Sequence, residues 1–124
     1  MNVKDVQEKV ARFAGERGWD INTPSQRIAH MVREVGKLSE HVLFAEGVTT
    51  KDPGPNSAKQ VGDVFFSLIQ LANKLGLDLE QQLNLAMERD IVKYPAAETK
   101  AASLRAYSAR MRPLLEKSAL VPKQ

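Results

Sequence analysis

Apolar side chains recur along this chain at intervals of three and four residues almost throughout, and no run alternates long enough for a half-buried strand. Val3, Val6, Val10 and Phe13 share one face of a first helix over about residues 3–17, with Gly15 and Gly18 weakening its end. Trp19 falls in the connector that follows. Thr23-Pro24 is a start signal: the hydroxyl can accept a free N–H, and proline loses nothing at the first helical position. From there Ile28, Met31, Val32, Val35, Leu38 and Val42 predict a second helix to about Ala45, ahead of Gly47. Residues 47–57 hold two prolines and two glycines and predict a loop, long for a helix connection. Asn56 or Ser57 can cap a third helix carrying Val61, Val64, Phe65, Leu68, Leu71, Ala72 and Leu75, with Phe66 and Ile69 widening its apolar surface. So broad a face in so short a chain calls for a partner subunit. Gly76 stops that helix, Asp78 caps a fourth through about Lys93, and Pro95 ends it. A fifth runs from about Glu98 to Lys117, with Leu104, Tyr107, Met111 and Leu115 along one side. The expected fold class is all-α.

At 124 residues, with 43% apolar and 27% charged side chains, the chain has the makings of one ordinary globular domain. The absence of cysteine excludes disulfides, thiolate metal sites and a cysteine nucleophile. No apolar stretch approaches the ~18 residues that span a bilayer, and the polar start Met1-Asn2-Val3-Lys4-Asp5 does not read as a secretory signal, so a soluble, cytoplasmic protein with no membrane partner is expected. The net charge of +3 is unevenly spread: residues 89–124 carry eight basic side chains against three acidic ones, leaving the first 88 net acidic. A basic flank at Arg105, Arg110, Arg112 and Lys117 raises the alternative of a helical interaction or DNA-associated module. No aromatic stacking set or groove-reading motif accompanies it, which argues against nucleic acid. The apolar stripe of the fifth helix is expected instead to dock it, giving residues 1–97 as a helical domain and 98–124 as a basic helix and tail packed on it.

Glu34 and Lys37 are three apart and share a helix face, as do Gln60 and Asp63 one loop later. Solvated faces show such pairs routinely. The surrounding text is more specific: Gly18-Trp19-Asp20-Ile21-Asn22-Thr23-Pro24, then Arg33-Glu34-Val35-Gly36-Lys37-Leu38, then Gln60-Val61-Gly62-Asp63-Val64, then Leu75-Gly76-Leu77-Asp78-Leu79, ending Lys93-Tyr94-Pro95. Over about residues 5–95 this resembles the MazG-like family of all-α nucleoside triphosphate pyrophosphohydrolases. The resemblance implies a helical bundle completed by dimerisation, as a homodimer or dimer of dimers. It also implies a chemistry in which water cleaves the α/β bridge of a nucleoside triphosphate, releasing pyrophosphate and the monophosphate with Mg²⁺ held by carboxylates.

The family pattern is Glu-Glu-x-x-Glu on one helix and Glu-x-x-Asp on the next. Laid on this chain it falls on Arg33, Glu34 and Lys37, then on Gln60 and Asp63, so only Glu34 and Asp63 keep metal-ligand identity. Across Glu34, Lys37, Gln60 and Asp63 four negative charges become a net of one. The Lys37 ammonium can stand where the cation would sit, pairing with Glu34 and Asp63, and the Gln60 amide oxygen is a poor substitute ligand for a hard cation. Mg²⁺ is therefore expected to be weakly held or absent. Glu40, Glu46 or Asp52 could rebuild a displaced site, or Arg33 and Lys37 could bind a phosphate directly. His30 and His41 read as ordinary surface or packing residues. The resemblance further points to Trp19 and the Arg89–Tyr94 segment as nucleotide contacts, with Trp19, Arg33, Lys37, Arg89, Lys93 and Tyr94 as candidates. Asp90 stands where an asparagine is familiar, and its charge would repel a triphosphate. The leading expectation is thus a nucleotide-binding or structural relative with weak or no catalysis. The alternative is an active Mg²⁺-dependent pyrophosphohydrolase with a rebuilt metal site.

Overall fold

The computed structural model describes residues 1–116 and holds five helices with no strand among them: α1 (Val3–Glu16), α2 (Pro24–Ala45), α3 (Ser57–Lys74), α4 (Leu79–Lys93) and α5 (Ala96–Glu116), with a 3₁₀ turn at Trp19–Ile21 between the first two. Their ends are fixed by local chemistry. At the start of α1 the Asn2 side chain accepts the Asp5 N–H while Asp5 accepts the Asn2 N–H, and Thr23 and Gln26 repeat this reciprocal arrangement at α2, with Pro24 at the first helical position. Asp78 Oδ1 accepts the Gln81 N–H at 3.1 Å at the head of α4. Asn56 holds the cap position of α3 without a side-chain capping bond.

The stops of α2 and α3 share one device. In α3 the backbone turns through Gly76 at φ 67°, so that the Leu77 N–H returns to the Ala72 carbonyl at 2.9 Å. In α2, Gly47 at φ 75° lets the Val48 N–H reach the Leu43 carbonyl, also at 2.9 Å. This left-handed closure satisfies carbonyls that a helix end leaves free, and side chains with a Cβ resist it.

The chain divides into two compact units, Met1–Gln82 and a second from Leu83 onward. The division falls inside α4. In the first unit α3 packs against both α2 and α1. Arg27 near the start of α2 bonds Gln70 near the end of α3, and Glu34 further along α2 bonds Gln60 near the start of α3, so the two helices run antiparallel. Gln7 ties α1 to the α3–α4 corner, donating to Asn73 Oδ1 and the Leu77 carbonyl and accepting the Leu79 N–H. Phe13, Trp19 and Phe66 meet edge to face, with centroids 5.8 to 6.4 Å apart.

The buried set is unusual in its polarity. Ala14, Ile69 and Ala72 are the buried apolar residues, against Gln7, Arg27, Glu34, Gln60, Ser67 and Gln70 among the polar ones. Meanwhile Ile28, Val32, Val35 and Val42 of α2 and Val61, Phe65, Leu68 and Leu75 of α3 remain exposed. In the second unit Leu104 and Tyr107 of α5 are exposed, and of the basic flank Lys117 lies outside the described residues, as does Lys123 of the tail.

Replacing Gly76 by alanine is expected to lower the stability of the first unit by about 1 to 2 kcal/mol through the left-handed backbone penalty, and Thr23→Ala by about 1 kcal/mol through the lost cap. Urea unfolding of each variant followed by helical circular dichroism measures both.

Candidate functional site

Antiparallel pairing of α2 and α3 brings the four motif positions to one open cavity of about 330 Å³, walled by Trp19 and Phe66. Glu34, Lys37, Gln60 and Asp63 all line it, as their spacing in two helices predicts. Glu34 is 5% exposed, so its charge needs partners. The Gln60 Nε2 donates to Glu34 Oε2 at 2.6 Å and to the Glu34 backbone carbonyl at 3.1 Å. Lys37 Nζ donates to Glu34 Oε1 at 3.4 Å, and His30 Nε2 lies 3.8 Å from the same oxygen. The Gln60 hydrogen bond holds the Glu34 carboxyl below its ordinary value, with burial opposing and the Lys37 charge assisting.

Two expectations are revised by this geometry. Gln60, considered above for its amide oxygen, uses its N–H₂ group on Glu34. Lys37 meets Glu34, whereas the partner of Asp63 is Lys59, one turn away on α3, at 2.9 Å. This ion pair raises the Lys59 ammonium above its ordinary value, the Asp63 hydrogen bond being the main cause. Lys59 lines the cavity and was passed over by the reading by residue type, and His30, read there as an ordinary surface or packing residue, lines it too. Each sits four residues from an acid on the same helix, a spacing that could have flagged them but that charged surfaces also show freely. Ser67 was missed as well: it is 1% exposed, lines the cavity, and its Oγ has no hydrogen-bond partner.

The remaining candidates are distributed differently. Trp19 lines the cavity, with its ring against Phe13 and Phe66. Arg33 is exposed on α2 and is not among the lining residues. Arg89, Lys93 and Tyr94 belong to the second unit, where the Lys93 ammonium lies 5.2 Å from the Tyr94 ring centroid. Glu40, Glu46 and Asp52 are exposed, and Asp52 Oδ1 accepts the Gly54 N–H within the α2–α3 loop. Among the described residues no three His, Asp or Glu side chains are grouped to hold a metal ion, and no helix is long and apolar enough to cross a membrane.

No family model matches the chain. It is 29% identical over 90 residues to the uncharacterized protein YpjD of Bacillus subtilis (strain 168), an alignment covering 70% of this chain and 81% of that one. It is 29% and 28% identical over 103 residues to dCTP pyrophosphatase 1 of Mus musculus and Bos taurus, covering 75% of this chain and 59% of each relative, so the chain spans under two thirds of their length. The crystal structure of YpjD, proposed there to be a pyrophosphatase, superposes with a TM-score of 0.63 at 29% identity, over 78% of this chain and 96% of that one. The fold is therefore all-α and MazG-like, and the chain is a homologue of nucleotide-pyrophosphatase-type proteins.

Because the folded Glu34 carboxyl lies below its ordinary value of 4.5, its stabilising contribution is complete above that value and is lost as pH falls through the lower, folded one. Glu34→Gln is expected to cost about 1.5 to 3 kcal/mol at neutral pH, the range for a hydrogen bond to a charged group, and to flatten the acid limb of the stability profile. Urea midpoints between pH 2 and pH 7 for both proteins test the sign.

Proposed function

We propose that this chain is a MazG-like pyrophosphohydrolase-fold protein that binds a nucleotide through protein cations and hydrolyses it weakly or not at all. One observation carries the reading: both acids retained from the metal pattern are met by N–H donors of the chain itself, Glu34 by Gln60 and Lys37, Asp63 by Lys59. A hard divalent cation needs several oxygen ligands with charge to spare, and this donor set does not fit one. Lys37, Lys59 and His30 instead offer N–H groups that a phosphate chain can take over from the two carboxylates. Trp19 and Phe66 supply an aromatic wall suited to a base. Ser67 Oγ, buried and unpartnered, can donate to or accept from the same ligand.

In this scheme the residues bind and orient, and none of them activates water. The hydrogen bond from Gln60 lowers the proton affinity of the Glu34 carboxylate, which makes it a poor general base. The second reading, an active Mg²⁺-dependent enzyme with a rebuilt metal site, is favoured by the relatives' names, two of which are dCTP pyrophosphatases.

Calorimetric titration of Mn²⁺ with and without a nonhydrolysable deoxynucleoside triphosphate, beside a pyrophosphate-release assay across the nucleotides, separates the two. The expected result is nucleotide binding that does not require metal, with little pyrophosphate released. Robust metal-dependent turnover would sink the proposal. Installing Lys37→Glu and Gln60→Glu together is expected to raise Mn²⁺ affinity by at least about tenfold, since it restores two carboxylates to the site, and adding Lys59→Ala to raise it further by releasing Asp63.

The same proposal includes self-association as a homodimer or dimer of dimers in the cytoplasm. It is supported by the exposed valines of α2 together with Val61, Phe65 and Leu68 of α3, too much apolar surface for so small a buried set. Sedimentation equilibrium is expected to return at least twice the 13.8 kDa chain mass, and Phe65→Glu with Val32→Glu to shift the protein toward monomer.

A further inference from the structure

A second cavity, of about 260 Å³, also has Trp19 in its wall and lies beside Arg27, Gln70 and Lys74. Arg27 is only 7% exposed. Its Nη1 donates to Gln70 Oε1 at 2.8 Å and its Nη2 to the Trp19 carbonyl at 2.7 Å. A guanidinium carries five N–H donors, so three are left, and both acceptors are neutral. Arg27 enters no ion pair among the described residues. A charge held this deep costs several kcal/mol unless something compensates it. Lys74, exposed at the cavity's edge, donates to the Asp20 carbonyl and adds a second positive charge. Asp20 lines the cavity too, so the three charged side chains leave it one unit positive.

We propose that the Arg27 cavity binds a small phosphate-type oxyanion, with the guanidinium fork presenting paired N–H groups and the Lys74 ammonium closing on it from the edge. The fork geometry suits oxygens of one tetrahedral ion, which can accept from several donors at once. The oxyanion is either free phosphate or the phosphate of a nucleotide. This site is separate from the Glu34 cavity and does not rest on the function proposed above.

Trp19 is the chain's one tryptophan and lines both cavities, so its fluorescence reads occupancy of either and the Arg27 and Lys74 variants assign the response to this one. Inorganic phosphate titrated at constant ionic strength is expected to give a saturable change that chloride does not give. Arg27→Met should weaken phosphate binding at least about tenfold, in keeping with the loss of hydrogen bonds to a charged group. Lys74→Gln, at an exposed position that tolerates the change, should weaken it about threefold by the smaller worth of a solvent-screened charge. Arg27→Lys keeps the charge without the fork and should fall between wild type and Arg27→Met; with Lys74→Gln it carries the test if Arg27→Met does not fold by circular dichroism. Lys51→Met, at an exposed position that lines neither cavity, should leave the affinity unchanged. A nucleoside monophosphate that displaces phosphate assigns the site to nucleotides, and one that does not assigns it to the free ion. The proposal is overturned by an unsaturable response, by unchanged affinity in Lys74→Gln and Arg27→Lys, by loss of the response in Lys51→Met, or by a nucleoside without phosphate competing as well as the monophosphate.

Discussion

A carboxylate enclosed between two helices has to be compensated from within the protein, and at Glu34 the compensation comes from the facing helix. The Gln60 amide spans from α3 to α2 with one donor on the Glu34 side chain and one on its backbone, so the bond that stabilises the charge also sets how the helices lie against each other. Arg27 and Gln70 make the second crossing nearer the other end. Between these crossings lie Trp19, Phe66 and Ser67, whose places in the cavity follow from the spacing the two polar bonds impose. With three apolar residues buried among the described ones, hydrogen bonds carry the register that an apolar core would otherwise fix.

The helices were legible because the signals that start and stop them are local. Thr23-Pro24, Gly47, Gly76 and Asp78 each act within a turn of their own position, and the observed boundaries follow them closely. α5 starts two residues earlier than its apolar pattern predicts, because Ala96 and Ala97 favour helix directly after Pro95. The convergence of Glu34, Lys37, Gln60 and Asp63 was likewise readable, since three-residue spacing on adjacent helices leaves little choice of face. What the residues do to each other was less readable. Whether an amide presents its oxygen or its N–H₂ depends on the neighbour it meets across the bundle, and Glu34 decides it for Gln60. Arg27 and Gln70 are separated by 43 positions and carry no local mark of contact, so a buried arginine gave no sign in the pattern.

The relation to pyrophosphatases in sequence and fold frames the chemistry without dictating it. The helix pair carries Lys37 and Gln60 at positions where the family pattern that the sequence resembles has glutamates. In the proposed reading, the Lys37 ammonium stands beside Glu34 where the family pattern would have a cation. Glu34, Asp63, Lys37 and Lys59 balance to zero charge in this cavity, so an anion bound there as proposed would be held by N–H donors and not drawn in by a net positive field. Binding without a metal would forgo what a metal does best, the lowering of the pKa of a bound water.

Trp19 stands in the walls of two cavities at once. Its backbone carbonyl is held by Arg27 while its ring rests on Phe13 and Phe66. Occupancy of either cavity that displaces this residue changes the shape of the other, and thermodynamics makes the effect mutual: whatever factor the first ligand imposes on the second, the second returns to the first. If both cavities take the ligands proposed for them, this single side chain between two compartments would be a linkage element joining the two equilibria.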